Sequence, residues 1–342
     1  MRSPKIILFA CLVALVALIA LPNQQSPHQH SSAPAQTLAF LQTPAAQHAA
    51  SKHAISPPPV KASDPCNHMK WLVVIAHPDD DLLFMNPDIS RVIARGGCVQ
   101  TVYVTGGDDG RDPAYVVSRE HGVQAAYNVM AGRSAEWSYQ TISLPNSPEI
   151  TTASPKANSR IAHVYLHLPD GNLDGRGFAV ANSQSLKKLE DGALNSITAF
   201  GAPGDYTSSS LTLTLVELIE QYRPTRIATQ SIQDGSHTDH SDHIVTGQLT
   251  LSAASIAETL MKRPIKDGVW AYAGYPIRKE SGNLDASQAA QKSLIFFAYA
   301  HFDPGVCNTL DECEQSASTY TSYLSRQYKT RLSTGAAHQS HR

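Results

Sequence analysis

The chain has 342 residues, with 27 Lys and Arg against 29 Asp and Glu, and a formal charge of -2. That balance offers no surplus of basic residues for a nucleic-acid partner. The length allows one substantial domain with extensions, and no internal repeat divides it.

Met1 to Lys5 is short and basic, and Ile6 to Leu21 is apolar and uncharged. This suits a signal peptide over 1–21, with Ala20 near a cleavage point, or an uncleaved membrane anchor through 6–21. Residues 22–63 are rich in Gln, Ser, Ala, Pro and His with almost no charge, and read as a disordered linker. The folded domain is expected over 64–332, with a disordered tail over 333–342. An exported location follows: periplasmic, extracellular or anchored facing outward. Beyond Cys11 the cysteines are Cys66, Cys98, Cys307 and Cys313. An even number in an exported chain permits a local Cys307–Cys313 bridge and a Cys66–Cys98 bridge between two early segments.

Within the domain, Trp71–Ala76 reads as a buried strand and Ile89–Arg95 as a helix. Val99–Thr105 is a second strand, ending in Gly106-Gly107. Ala114–Ala131 has helical spacing, and Gln140–Leu144 and Ile161–Leu168 read as strands. Leu211–Tyr222 is an amphipathic helix stopped before Pro224, followed by a short strand at Arg226–Thr229. Ile244–Met261 continues as a helix, and Lys292–Ala300 and Ser318–Tyr328 are late helices. Alternating strands and helices imply an α/β, Rossmann-like, mostly parallel sheet with helices on both faces, in a single domain. Ligands of such sheets gather beyond the carboxyl ends of the strands. The polar clusters fall there: His77-Pro-Asp-Asp-Asp81, Gly106-Gly-Asp-Asp-Gly110, Asp170-Gly171 and His237-Thr-Asp-His-Ser-Asp-His243.

The first cluster has the chemistry of a metal site. Imidazole and carboxylate suit zinc, and a catalytic zinc takes three protein ligands and an open position. His77 and Asp80 are near enough along a turn to share an ion, which leaves Asp79 free to accept a proton from water. The downstream cluster offers a third ligand in two registers, His240–His243 or His237–His240. One histidine of the pair would bind metal while the other polarises a carbonyl oxygen. Two His and one carboxylate also suit Fe(II), but the additional Asp79 and His240 fit hydrolysis better than oxygen chemistry.

His77-Pro-Asp-Asp-Asp81 together with His240-Ser-Asp-His243-Ile-Val-Thr-Gly247 resembles the PIG-L/LmbE-like de-N-acetylases. These include N-acetylglucosaminyl-phosphatidylinositol deacetylases and related bacterial amidohydrolases. The resemblance spans roughly Lys70 to Tyr275 and includes Thr105 to Gly110, Arg119-Glu120 and Leu168-Pro-Asp-Gly171. Asp81 stands where the family usually has Glu, and Gly247 favours the His240–His243 register. No counterpart is found to the mobile tyrosine that precedes the second motif in some members.

The resemblance implies zinc held by His77, Asp80 and His243 in a catalytic domain. It implies Asp79 as general base and then proton donor to the leaving amine. His240 would stabilise the oxyanion, with Asp242 orienting its ring, and Arg119 and Asp170 would contact sugar hydroxyls. Zinc would polarise the amide carbonyl and lower the pKa of water to about 7. The expected activity is removal of the acetyl group from an N-acetylated amino sugar or glycoconjugate. Competing readings are a non-catalytic carbohydrate-binding protein and an amidase for a non-sugar amide. Trp270, Tyr272 and Tyr275 either stack on a sugar or form a core strand. The acidic Asp108-Asp109 loop disfavours a strongly anionic substrate. Oligomeric state is left open by the sequence.

Overall fold

The computed structural model describes residues 65–156, 158–201, 204–233 and 239–335. The expected leader, the linker and residues 336–342 of the expected tail lie outside them, as does His237. In chain order the elements are β1 (Lys70–Ile75), α1 (Asp80–Phe84), α2 (Asp88–Ala94), β2 (Cys98–Thr105), α3 (Pro113–Met130), β3 (Trp137–Ile142), β4 (Ile150–Pro155) and β5 (Ile161–Leu168). Then come α4 (Leu186–Glu190), β6 (Ile197–Thr198), β7 (Asp205–Tyr206), α5 (Ser208–Tyr222), β8 (Arg226–Gln230) and α6 (Ser241–Met261). The chain continues through β9 (Val269–Tyr272), α7 (Ala286–Ala300), α8 (Leu310–Gln315), α9 (Tyr320–Leu324) and β10 (Lys329–Leu332).

β1 is apolar at every position after Lys70, as a strand covered on both faces must be. Its alternate residues divide between two cores. Trp71, Val73 and Ile75 pack with α3 and α7 residues such as Tyr127, Phe296 and Tyr299. Leu72 and Val74 pack with α5 and α6 residues such as Leu215, Ile219 and Leu249. The sheet order is β10-β9-β8-β1-β2-β5-β4-β3. The inner strands β9, β8, β1, β2 and β5 are mutually parallel, while β10, β4 and β3 add antiparallel edges. The α/β expectation holds, with the antiparallel margins as its extension.

The chain leaves β1 toward β2 on one side and returns as β8 on the other, so the carboxyl end of β1 is the topological switch point, where a crevice opens. α6 packs closely on β8 there. A side chain at Gly247 would place its first carbon 2.5 Å from the Gln230 carbonyl oxygen, so only glycine allows this approach. Disulfides join Cys66 to Cys98 and Cys307 to Cys313, as expected. No helix among the described residues is long and apolar enough to cross a membrane.

Candidate active site

His77 lies two residues beyond β1, and the turn that follows bends sharply into α1. Asp79 sits at φ 117°, a backbone conformation that a side chain disfavours and that is held only where neighbours over-determine it. The turn is fastened by the His77 N–H donating to Asp80 Oδ2 at 2.7 Å. Asp81 points away into the core, where its Oδ2 accepts from Tyr103 at 3.0 Å and Tyr127 at 2.9 Å. Burial pushes Asp81 up to about 7 despite those hydroxyls. Asp81, at the position where Glu is usual, therefore supports the turn from the core and does not face the centre.

α6 brings the second cluster to the same place, and the buried atoms of His77, Asp80 and His243 converge. A further carboxylate stands behind each ring, Asp239 behind His243 and Asp242 behind His77. A carboxylate only accepts, so His243 Nδ1, 2.7 Å from Asp239 Oδ1, carries a hydrogen. His77 Nε2, 3.3 Å from Asp242 Oδ2, does the same. The remaining nitrogens face one carboxylate: His77 Nδ1 lies 3.2 Å from Asp80 Oδ2, and His243 Nε2 lies 3.1 Å from Asp80 Oδ1. His243 Nε2 is buried and makes no hydrogen bond among the described residues. Two ring nitrogens and a carboxylate aimed at one another repel unless a cation lies among them. In protons alone the cost is visible. Burial lowers His243, but Asp80 and Asp239 override it and raise the ring to about 10. One divalent ion would replace those protons, so the donor set fits a metal.

Asp79 stands beside this centre with its Oδ2 3.0 Å from Arg119 Nη2. Burial pushes its carboxyl up to about 7 against the lowering effect of Arg119. That places it where it can both take and return a proton near neutrality.

His240 is the N-cap of α6, a place usually held by Ser, Thr, Asp or Asn. Its Nδ1 accepts the Asp242 N–H at 3.2 Å, so the neutral ring carries its hydrogen on Nε2. Burial, aided by His77, lowers it to about 4. Asp170 Oδ1 lies 3.5 Å from that Nε2. Burial works to raise Asp170, but His77, His240 and the Asn172 N–H hold it below the usual carboxylate range.

One expected role changes, and another residue gains a second role. Asp242 was expected to orient His240, but its carboxylate faces elsewhere, toward His77 and the Gly171 N–H at 2.7 Å. Its nearest oxygen is 3.8 Å from His240 Nδ1, too far for a hydrogen bond. It is the backbone of Asp242 that orients the ring. Arg119 was expected to contact sugar hydroxyls; it lines the cavity, and each of its three nitrogens also serves a protein acceptor. Nη1 donates to the Gly107 carbonyl and Nη2 to the Pro78 carbonyl, each at 2.5 Å, and Nε donates to Tyr299 Oη at 2.6 Å. It is a buried clamp on the turn that carries Asp79.

Asp239, behind His243, was not singled out in the sequence, although its place four residues before a candidate ligand is a usable signal. Glycines let the backbone close on these outer carboxylates. A first side-chain carbon at Gly274 would lie 2.5 Å from Asp239 Oδ1 and 2.7 Å from His243 Nδ1, and one at Gly171 would strike Asp242. The cavity in front of the centre has a volume of about 260 Å³. His77, Asp79, Asp170 and His240 form its floor, and Tyr115, Phe178, Tyr275 and Tyr320 contribute aromatic walls.

The family model described as PIG-L, GlcNAc-PI de-N-acetylase, matches residues 72–254 of the chain. No curated protein matches it. Among solved structures, the N,N'-diacetylchitobiose deacetylase from Pyrococcus horikoshii is similar at 15% identity and a TM-score of 0.43, covering 75% of this chain and 77% of that one. A conserved protein from Thermus thermophilus is similar at 18% identity and a TM-score of 0.39, covering 68% of this chain and 79% of that one. The 4-carboxy-2-hydroxymuconate hydratase from Pseudomonas putida is similar at 14% identity and a TM-score of 0.41, covering 75% of this chain and 83% of that one.

Proposed function

Since this chain belongs to the PIG-L family of de-N-acetylases, we propose that it is a metal-dependent hydrolase that removes the acetyl group from an N-acetylated amino sugar or glycoconjugate. The observation that carries this reading is the convergence of His77, Asp80 and His243 beside Asp79 and His240 at the switch point of the sheet.

His77, Asp80 and His243 would hold zinc, with Fe(II) able to exchange into the same set. When bound, the ion supplies Lewis-acid polarisation of the amide carbonyl and acidifies water. The chain's own groups do the rest. Asp79, kept near neutrality by burial against Arg119, takes the proton of the attacking water and returns it to the leaving nitrogen. His240 offers its Nε2 hydrogen to the carbonyl oxygen as charge develops there, a contribution on the order of 3 kcal/mol for one such donor. No imidazolium is needed, because a neutral ring already donates. Asp242 and Asp239 fix the rings of His77 and His243 by their hydrogen bonds.

Asp170, Asp109 and Asn172 give the cavity acceptors for hydroxyls, and its aromatic residues give faces for the apolar side of a sugar ring. The two disulfides and the apolar stretch at 6–21 support an exported protein, secreted or anchored at the membrane. A panel of N-acetyl sugars and oligosaccharides, incubated with zinc-loaded protein and assayed for acetate, tests the reading. Release that a chelator abolishes is expected. Acetate from simple N-acetyl amides but from no sugar would point instead to an amidase for non-sugar substrates.

A further inference from the structure

We propose that Asp303 is a positioning residue for this reaction, carried to the site by the segment that runs from the end of α7 to the Cys307–Cys313 disulfide. The inference rests on the reading of Asp79 as general base. Asp303 follows α7 and lies outside residues 72–254, so the family match says nothing of it.

The argument starts from the backbone of Asp79. At φ 117° this turn needs more than its own His77–Asp80 bond to hold it, and Arg119 adds a grip on both the Pro78 carbonyl and the Asp79 carboxylate. A buried guanidinium in turn requires a counter-charge, or it would be drawn out toward water. Asp303 supplies one that is independent of Asp79. Its Oδ2 lies 3.2 Å from Arg119 Nε, and Tyr299 bridges the two, accepting from Nε and donating to the carboxylate.

Asp303 is itself held on its other oxygen. Oδ1 accepts from Tyr115 at 2.7 Å and from the Gly305 N–H at 2.8 Å, and the residue is 1% exposed. The chain then passes Gly305 and Val306, which line the cavity, and reaches the buried Cys307. The bridge to Cys313 pins this wall to α8. A continuous path therefore runs from the disulfide through Asp303 and Arg119 to the base. It acts on where Asp79 is held, and Asp303 has no part in binding the ion.

The test uses the full, oxidised, zinc-loaded chain and acetate release from N-acetylglucosamine and its oligosaccharides. For Asp303→Asn we expect kcat to fall about ten- to a hundredfold, as misplacement of a reacting group does, with KM within about threefold and zinc content unchanged. In an Arg119→Gln background the same change is expected to cost less than about threefold, because its route is already cut. Cys307→Ser/Cys313→Ser is expected to show the same kcat-selective loss. If Asp303→Asn does not fold, the cysteine pair decides by the same criterion. A kcat within about twofold of the unaltered protein, or equal losses in both Arg119 backgrounds, overturns the proposal while the hydrolase reading stands. An unaltered protein that releases no acetate overturns that reading and this inference with it.

Discussion

Asp239 and His243 are joined by a 2.7 Å contact from carboxylate oxygen to ring Nδ1, four residues apart where the chain enters α6. This contact decides which nitrogen of His243 looks into the candidate metal centre. Asp239→Ala is therefore expected to weaken metal binding about 10- to 100-fold without emptying the site at saturating zinc. Competition against a graded series of chelators measures it. An unchanged affinity would show that the carboxylate does not tune the ligand. His243→Ala, in contrast, should leave the purified protein without bound metal.

Asp79→Asn should keep the metal and lower kcat by about 10²- to 10⁴-fold, the usual worth of a general acid–base group. Asn tolerates positive φ as Asp does, so the turn should survive and thermal stability should change little. Metal analysis and acetate release on the same sample separate the two effects. Near-normal turnover would remove Asp79 from the role.

For His240 the question is which form works. Burial with the nearby His77 lowers the ring to about 4, so it is neutral through the range from pH 5 to 8. His240→Ala is expected to cost about 10²- to 10³-fold in kcat. His240→Gln, which restores a neutral N–H donor, should recover part of that. If Gln is no better than Ala, donation from Nε2 is not what the residue provides.

Lys292 makes a pH prediction for stability. It is fully buried in α7 and donates to the carbonyls of Tyr323 at 2.9 Å and Arg326 at 2.6 Å, at the end of α9. Burial lowers its pKa to about 7. The unfolded chain keeps the proton to about pH 10.4, so between those values the unfolded state binds more protons and stability rises with pH. Below pH 7 both states are charged and this contribution is flat. Relative to Lys292→Met, the unaltered protein should gain up to about 1.4 kcal/mol per pH unit from pH 7 upward. Denaturant melts at pH 6, 7.5 and 9 read the slope, and parallel curves for the two proteins would contradict it.

The Cys66–Cys98 bridge spans 32 residues of sequence and closes a loop that contains the whole of β1 and the Asp79 turn. Its removal in Cys66→Ala/Cys98→Ala should cost about 3–4 kcal/mol of stability. Calorimetry under oxidising and reducing conditions should show the larger difference in the protein that retains Cys66 and Cys98, because on reduction the variant loses only the short Cys307–Cys313 bridge.

The middle of this molecule was legible in its sequence because β1, β2, β5 and β8 are apolar runs and their ends carry the polar clusters. α5 announces itself by its amphipathic period and its stop before Pro224, and α3 by its stop at Gly132. The margins were not. β4 begins after Pro148 and is polar on its outer positions, so Ile150–Pro155 gives no clear strand signal. The stretch 318–328, expected as one helix, is the short α9 and a loop that leads into β10. That strand is recognisable only once β9 is present to pair with it. In the site, His77, Asp79, Asp80, His240 and His243 were legible because they cluster in two short motifs. Asp303 and Tyr299 were not, because their meaning depends on Arg119, which is 180 positions from Tyr299. The role of Asp242 changed, and Arg119 gained its clamping contacts, for the same reason. Sequence spacing indicates that a residue is near the site, but its direction is set by acceptors far away in the chain.

The glycines at 171, 247 and 274 also bear on how this catalyst can change over time. Each has protein atoms where a side chain would begin, at Asp242, at the Gln230 carbonyl, and at Asp239 with His243. At these three positions the inner half of the site is therefore closed to any side chain. The far wall, with Leu173, Phe178, Val306 and Tyr320, faces open cavity. Selection for a new acylated amine has room to act there, on recognition, without disturbing the glycines that pack against the outer carboxylates.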